Sequence, residues 1–336
     1  MVITQLKELR ETAGLTQVEL ATRASVSRQL VGAVEAGRHL PRVDAAIAIA
    51  AVLGVDVPAI FASSSQPVDV IAGSIPDAGS LVRIGSVGDQ IVTAPARVGP
   101  DGWGVADGVI EESGSLTSFG RRAPGLVVTG CEPGLEVLER MLREQAMGAV
   151  AALGSSKVAM EALVAGRVHA AVVHGPALQA FSTLGDIEIE RFHLARWQVG
   201  LAVSSDAPAR WWQDALLGRV LVAQREQGAG VQRAFEEAVA PDVGEVSGPR
   251  VSSHMEAAQR AVLTGMPAVT IEPAALALGA SFHPLEVHKA EIWVARSFLG
   301  DRPVVEAMNV LASRRFQSRL RGVGGYDLTD CGTKVA

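Results

Sequence analysis

The sequence predicts a multidomain protein. An all-α helix-turn-helix domain comes first, then a small β module, then a two-lobed α/β domain. Three observations predict this. Residues 4–61 carry short apolar stripes at helical spacing, separated by caps and stops. Residues 62–123 hold brief β-type runs split by Gly-Asp, Pro-Asp-Gly and Glu-Ser-Gly turns. From Gly125 onward, apolar strand-like runs alternate with amphipathic helices, which is the mark of an α/β architecture. The expected boundaries are 1–62, 63–123 and 124–336. The last domain divides into one lobe of residues 124–197 plus 296–325 and a second of 198–295.

In the first domain, Thr16 is a good helix N-cap and Glu19 completes a capping box. Leu20, Ala21 and Ala24 share a face of the helix that follows. The chain breaks at Ser25-Val26, and Ser27 caps a further helix with Leu30, Val31 and Val34 inside. Gly37 ends that helix and Pro41 prevents its continuation. Two short helices joined this way form a helix-turn-helix, whose second helix can enter the major groove of DNA. Leu6, Leu9 and Ala13 mark a helix before them, ending at Gly14. Ile47, Ala50, Leu53 and Ile60 mark two after them.

These residues resemble the phage-repressor-like (Xre) helix-turn-helix family. The match runs through Arg10, Gly14, Leu15, Thr16, Gln17, Leu20 and Ala21, then Val26, Ser27, Val31, Val34, Glu35 and Gly37, then Pro41. Ser25 departs from it, because the family usually has glycine there and serine tolerates a left-handed turn less well. The resemblance pairs Arg10 with Glu35 in a semi-buried ion pair that fixes the first helix to the third. The residues expected to face a double-stranded DNA operator are Gln17, Ser27, Arg28, Gln29, Gly32 and Arg38. Arg and Gln can pair with guanine and adenine edges; the competing reading is a solvated polar face. Residues 1–61 balance Lys7, Arg10, Arg23, Arg28, Arg38 and Arg42 against Glu8, Glu11, Glu19, Glu35, Asp44 and Asp56. With no net charge a single copy should bind phosphates weakly, so the expectation is a homodimer on two half-sites.

The whole chain has 30 basic and 36 acidic residues, a net charge of −6, and no basic tail. No apolar run is long enough to span a membrane, and the polar amphipathic N-terminus is unlike a signal peptide. Cys131 and Cys331 are too few for a disulfide framework, and no CxxC or local His/Cys cluster suggests a metal. The expectation is a soluble cytoplasmic protein with no cofactor and no metal. In the β module the runs are LVRIGSVGDQIVTAPA, GWGVADGVIEE and SLTSFGRR, with Trp103 as the expected core anchor. Position alone suggests that the module joins domains, dimerises, or covers a sheet edge.

In the α/β region, strands are expected at 126–130, 150–155, 169–175, 187–193, 198–204, 219–223, 243–247, 267–271 and near 291–295, interleaved with helices and arranged in parallel sheets. Ligands bind such folds at the carboxyl ends of strands. The loops there name the candidate ligand residues: Cys131, Glu132, Ser155, Ser156, His174, Gln227, Gly228, Ser252, Ser253 and His254, with Glu272 counted beside them. Each has a plainer reading: helix caps for the serines, a small buried hydrophobe for Cys131, helix-terminal charge for Glu132, and core or surface histidines.

Three segments, GSSKVAMEALVAGRVHAAVVHG, RVLVAQREQGAGVQRAFEE and SSHMEAAQRAVLTGMPAVTIEP, resemble the periplasmic-binding-protein-like domain of molybdate and tungstate sensors. The resemblance spans Leu126 to Tyr326 and implies an effector cleft between lobes. One loop departs from it: the family often has G-S-G-T-R where this chain has Gly228-Ala229-Gly230-Val231, losing two hydroxyl donors. That favours a molecule larger or less charged than a bare oxyanion. The leading expectation is a ligand-responsive transcriptional regulator whose effector is molybdate, tungstate, a molybdenum-cofactor-related molecule or another small metabolite. The alternatives are an enzyme on the same two-lobed fold, with His174, Glu272, His283 and His288 for acid-base work, and a constitutive repressor whose large domain only dimerises.

Overall fold

The computed structural model describes residues 5–36, 38–61, 66–96, 98–99, 102–103, 106–120, 125–180 and 187–335. It divides into two compact units, Met1–Pro67 with Ser113–Ser115, and Val68–Glu112 with Leu116–Ala336.

The first unit is helical: α1 (Leu6–Thr12), α2 (Gln17–Arg23), α3 (Arg28–Glu35), α4 (Val43–Leu53) and α5 (Val57–Phe61). The Thr16 hydroxyl accepts from the Glu19 amide, and the Glu19 carboxylate accepts from the Thr16 amide, so the capping box closes. Ser27 caps α3 by accepting from the Leu30 amide. Gly37, the expected stop, lies outside the described residues. The core joins Leu6, Leu15, Leu20, Ala21, Ala24, Val31, Val34, Ile49, Ala50 and Ile60. Ile47 is a correction: it is exposed, and α4 buries Ala46, Ile49 and Ala50 instead. That helix is apolar almost all round, so periodicity could not choose its inner face.

The second unit opens with the β module: β1 (Val68–Asp69), β2 (Leu81–Val87), β3 (Gln90–Pro95), β4 (Val98–Gly99), β5 (Gly102–Trp103), β6 (Gly108–Ile110) and β7 (Leu116–Ser118). Its main sheet has the order β1-β3-β2-β6-β7. The Trp103 side chain, the expected anchor, lies outside the description, as do Arg121 and Arg122.

The elements that follow are β8 (Gly125–Gly130), α6 (Gly134–Glu144), β9 (Gly148–Leu153), α7 (Ser156–Val164), β10 (Ala170–His174), α8 (Ala177–Ala180) and β11 (Ile189–Val203). After them come α9 (Trp211–Leu216), α10 (Gly230–Ala238), α11 (His254–Thr264), β12 (Ala268–Ile271), α12 (Glu272–Ala277), β13 (Ser281–Ala295), α13 (Arg302–Ala312) and α14 (Arg314–Val323). The β module is fastened onto this region. Arg83 of β2 donates to Glu139 of α6 at 3.1 Å and to the Ala151 carbonyl of β9 at 3.1 Å. Gly85 is required by close approach, because a Cβ there would stand 2.5 Å from Val127 Cγ2. Val70, Val87, Val92 and Ala94 of the module share one apolar core with Val127, Val150 and Ala152.

The six-stranded sheet has the order β12-β11-β13-β10-β8-β9. Strands β8, β9 and β10 are parallel, whereas β13 runs antiparallel to β10 and β11, and β12 antiparallel to β11. The sheet is therefore mixed, which corrects the expectation of parallel sheets. The runs 187–193 and 198–204 are also one strand, β11, rather than two. Its first half pairs with the part of β13 that lies beside β10, and its second half pairs with β12. Two long strands thus pass from one lobe to the other. The residues between the two expected strands, Leu194 to Trp197, stay in the ladder with β13 apart from a bulge at Leu194, while Asp327 and Lys334 of the C-terminal segment bridge to Arg196 and Phe192 on β11. The runs 219–223 and 243–247 form no strand, leaving isolated bridges such as Ala223 to Ala268. At Gly248 φ is +154° and a Cβ would meet the Val222 carbonyl at 1.9 Å, so the chain there passes too tightly for a regular ladder.

Candidate functional site

On the helical unit, Ser27, Arg28, Gln29 and Arg38 are exposed, with Arg28 and Gln29 in the first turn of α3. Gly32, one turn on, is half-buried and faces the Gln17 side chain at 3.9 Å from where its Cβ would be. Gln17 opens α2, but its amide nitrogen donates to Glu35 Oε2 at 2.8 Å. It belongs to a network with Arg10, whose Nε donates to Glu35 Oε1 at 2.6 Å and whose Nη1 donates to the Leu15 carbonyl at 2.7 Å. Both side chains of the ion pair are buried, 9% and 6% exposed, so Arg10 is spent on holding α1 to α3. Arg28 and Gln29, exposed in the first turn of α3, take no part in this network.

On the α/β unit, a cavity of about 560 Å³ is lined by Cys131, Ser155, Ser156, His174, Arg225, Gln227, Gly228, Gly230 and His254, among others. The wall is built from the ends of strands and the starts of helices. Cys131 follows β8, His174 ends β10, and Ser155 caps α7 by accepting from the Val158 amide. Ser156 Oγ accepts from the His174 amide, tying the loop before α7 to β10. Gly228 turns with φ +83° ahead of α10. Ser253 caps α11, and with Ser252 it borders a small crevice that shares Cys131 and His254 with the cavity.

Two candidates lie elsewhere. Glu132 is fully buried and points inward, accepting from the Gly134 amide at 2.7 Å and the Tyr326 hydroxyl at 2.5 Å. Glu272 starts α12 and packs near Gly325, away from the cavity lining. A separate cleft of about 440 Å³ between the β module and β9 holds none of the candidates.

Sequence reasoning missed Arg225. It is 2% exposed, yet it lines the cavity. Its guanidinium donates to the Val251 and Ser252 carbonyls at 3.3 and 3.0 Å and to His254 Nδ1 at 2.8 Å. Among the described residues no carboxylate pairs with it. The available signal was a lone cation at the end of the apolar run VLVAQ, just before the glycine turn.

Four side chains, Cys131, His174, His254 and His288, were not legible in the sequence as a cluster. Cys131 Sγ lies 2.8 Å from His174 Nε2 and 3.3 Å from His254 Nε2, and His174 Nδ1 lies 3.1 Å from His288 Nδ1. Burial pushes the Cys131 thiol up to about 12 and the His174 imidazole down to about 3, with His254 also held well below its usual range. These directions are the opposite of those that mark an activated thiolate–imidazolium pair. What the arrangement can do is present neutral imidazoles, one thiol and one unpaired cation to a guest.

The chain matches a family model described as a helix-turn-helix domain over residues 4–60, and one described as a PBP superfamily domain over residues 139–312. No curated protein sequence matches it. Similar solved structures include an ABC-type phosphate transport receptor from Vibrio cholerae, 13% identical with a TM-score of 0.43, covering 60% of this chain and 98% of that one. A full-length OxyR variant from Pseudomonas aeruginosa is 14% identical with a TM-score of 0.43, covering 58% and 69%. The CcmR regulatory domain of Synechocystis, in complex with 2-PG, is 12% identical with a TM-score of 0.41, covering 59% and 94%. At such identities and scores these likenesses carry no argument about what the chain binds.

Proposed function

The chain belongs to the PBP superfamily and carries a helix-turn-helix domain ahead of that match, and from this premise we propose that it is a ligand-responsive transcriptional regulator without catalytic activity. The helical domain reads an operator through Arg28 and Gln29. The α/β domain binds a small effector between its lobes, and the effector acts through unequal affinity for two arrangements of the protein. The observation that carries the reading is the 560 Å³ cavity with a buried, carboxylate-free guanidinium on its wall. A volume of this size suits a small organic molecule, and Arg225 with the starts of α7, α10 and α11 suits an anionic group on it. We therefore favour an organic anion over bare molybdate. A DNA-binding role places the protein where the chromosome is, and among the described residues no helix is long and apolar enough to cross a membrane.

The test has two arms on the full-length protein. A duplex selected from a random pool should bind, and Arg28→Ala and Gln29→Ala should each weaken specific binding by about 1–3 kcal/mol. A thermal-shift screen of molybdate, inorganic phosphate, small carboxylates and pterins should find a stabilising anion, and Arg225→Gln should lose the shift while Arg225→Lys keeps part of it. Wild-type selectivity in both α3 variants sinks the operator reading. A shift produced by molybdate alone sinks the preference for an organic anion.

A further inference from the structure

Cys131 Sγ, His174 Nε2 and His254 Nε2 all lie within 4.8 Å of one another. They come from the end of β8, the end of β10 and the start of α11, so only folding brings them together. We propose that Cys131, His174 and His254 form a binding site for one thiophilic d-block cation, of the kind Zn(II) represents, with its fourth coordination position open to the cavity. The proposal stands whether or not the cavity also binds an organic effector.

The donor set selects the class. One sulfur and two imidazole nitrogens suit borderline and soft cations, whereas Mg(II) and Ca(II) want oxygen. The sulfur–nitrogen distances also fit. With Zn–S of about 2.3 Å and Zn–N of about 2.0–2.1 Å, a tetrahedral site spaces sulfur about 3.6 Å from each nitrogen. The present spacings of 2.8 and 3.3 Å need to open by less than about 1 Å. His174 is steered from behind by His288, as ligating histidines usually are, whereas Arg225 behind His254 can only donate and has to give way.

The protons can be followed. A guanidinium only donates, so His254 Nδ1 accepts from Arg225 and the ring proton sits on Nε2, toward Cys131. Ligation moves that proton to Nδ1, and Arg225 must let go. The thiol proton leaves to solvent as the thiolate–metal bond forms, so one proton is released per cation. The thiolate cancels one positive charge, and an anion in the fourth position cancels another. Metal binding thereby breaks the Arg225–His254 contact on the cavity wall.

The test uses the reduced full-length protein titrated with Co(II) and then Zn(II). The expected result is one Co(II) per chain, with a thiolate-to-cobalt charge-transfer band and tetrahedral d–d absorption, displaced by Zn(II) and accompanied by release of one proton. Cys131→Ser should abolish the charge-transfer band and His254→Gln should weaken binding at least about tenfold, while Cys331→Ser, at the other free thiol, should bind as wild type. A readout on the wild-type chain guards against misfolded variants: Zn(II), unlike Mg(II), should slow alkylation of Cys131 as mapped by mass spectrometry. No stoichiometric uptake by the wild type, alkylation of Cys131 unaffected by Zn(II), or a charge-transfer band that survives Cys131→Ser overturns the proposal.

Discussion

Arg10 and Arg28 carry the same charge one helical hairpin apart, and burial gives them opposite fates. Arg10 is held by Glu35 and the Leu15 carbonyl, so Arg10→Ala strands a buried carboxylate. That costs about 3 kcal/mol in a well-buried pair, whereas exposed Arg28→Ala stays within about 0.5 kcal/mol. Urea melts of the full-length variants should show a clear loss for the first alone; equal midpoints would refute the pairing as a stabilising contact. Glu132 makes the residue-scale case for pH. Burial raises its carboxyl from an ordinary 4.5 to about 7, against the opposing pull of Tyr326 and the Gly134 amide. The folded protein therefore holds a proton that the unfolded chain gives up. The stability from this group is full below about pH 4.5 and lost as pH rises through about 7. Glu132→Gln keeps an oxygen for both donors and cannot ionise. The variant should gain on wild type by up to about 3 kcal/mol between about pH 5 and about pH 8, and parallel pH profiles in denaturant melts would count against the buried-acid account.

At the scale of elements, the turn between α2 and α3 is set by Ser25, whose φ of +54° lies in the left-handed region. The sequence resemblance wants glycine there, and the backbone explains why: a side chain in that region costs about 1 kcal/mol. Ser25→Gly should raise the stability of the helical unit by up to about 1 kcal/mol without changing operator affinity, readable as a higher first transition in a melt. A lower midpoint would mean that the serine side chain makes a contact worth more than the strain. Helix α4 and strand β11 show the limit of local patterns. The first is too uniformly apolar to reveal its inner face. The second reads as two strands because its middle, Ala195-Arg196, looks like a break, yet β13 pairs with it on both sides of its bulges.

For the whole molecule, the helical unit has no net charge, so operator binding should depend on linking two copies. We expect sedimentation of the full-length protein to give a dimer at micromolar concentration, and the selected DNA to hold two half-sites separated by a helical turn or a multiple of it. A monomer that binds a single half-site with full affinity would refute this.

Local chemistry determined the parts whose interactions are close in sequence. The capping box of Thr16 and Glu19, the Ser27 cap, the α3 face carrying Arg28 and Gln29, and the strand-to-loop positions of Ser155, His174 and His254 were all legible, because caps and periodicity act within a few residues. Tertiary structure alone decided which of those loops meet. It turned Glu132 into the interior toward Tyr326, brought Arg225 onto the cavity wall, and set Cys131 against two histidines far away in the chain. The physical reason is that these contacts are made across long loops by side chains whose partners are chosen by how the strands register. A one-dimensional pattern records which residues face a core, and it holds no record of what stands opposite them.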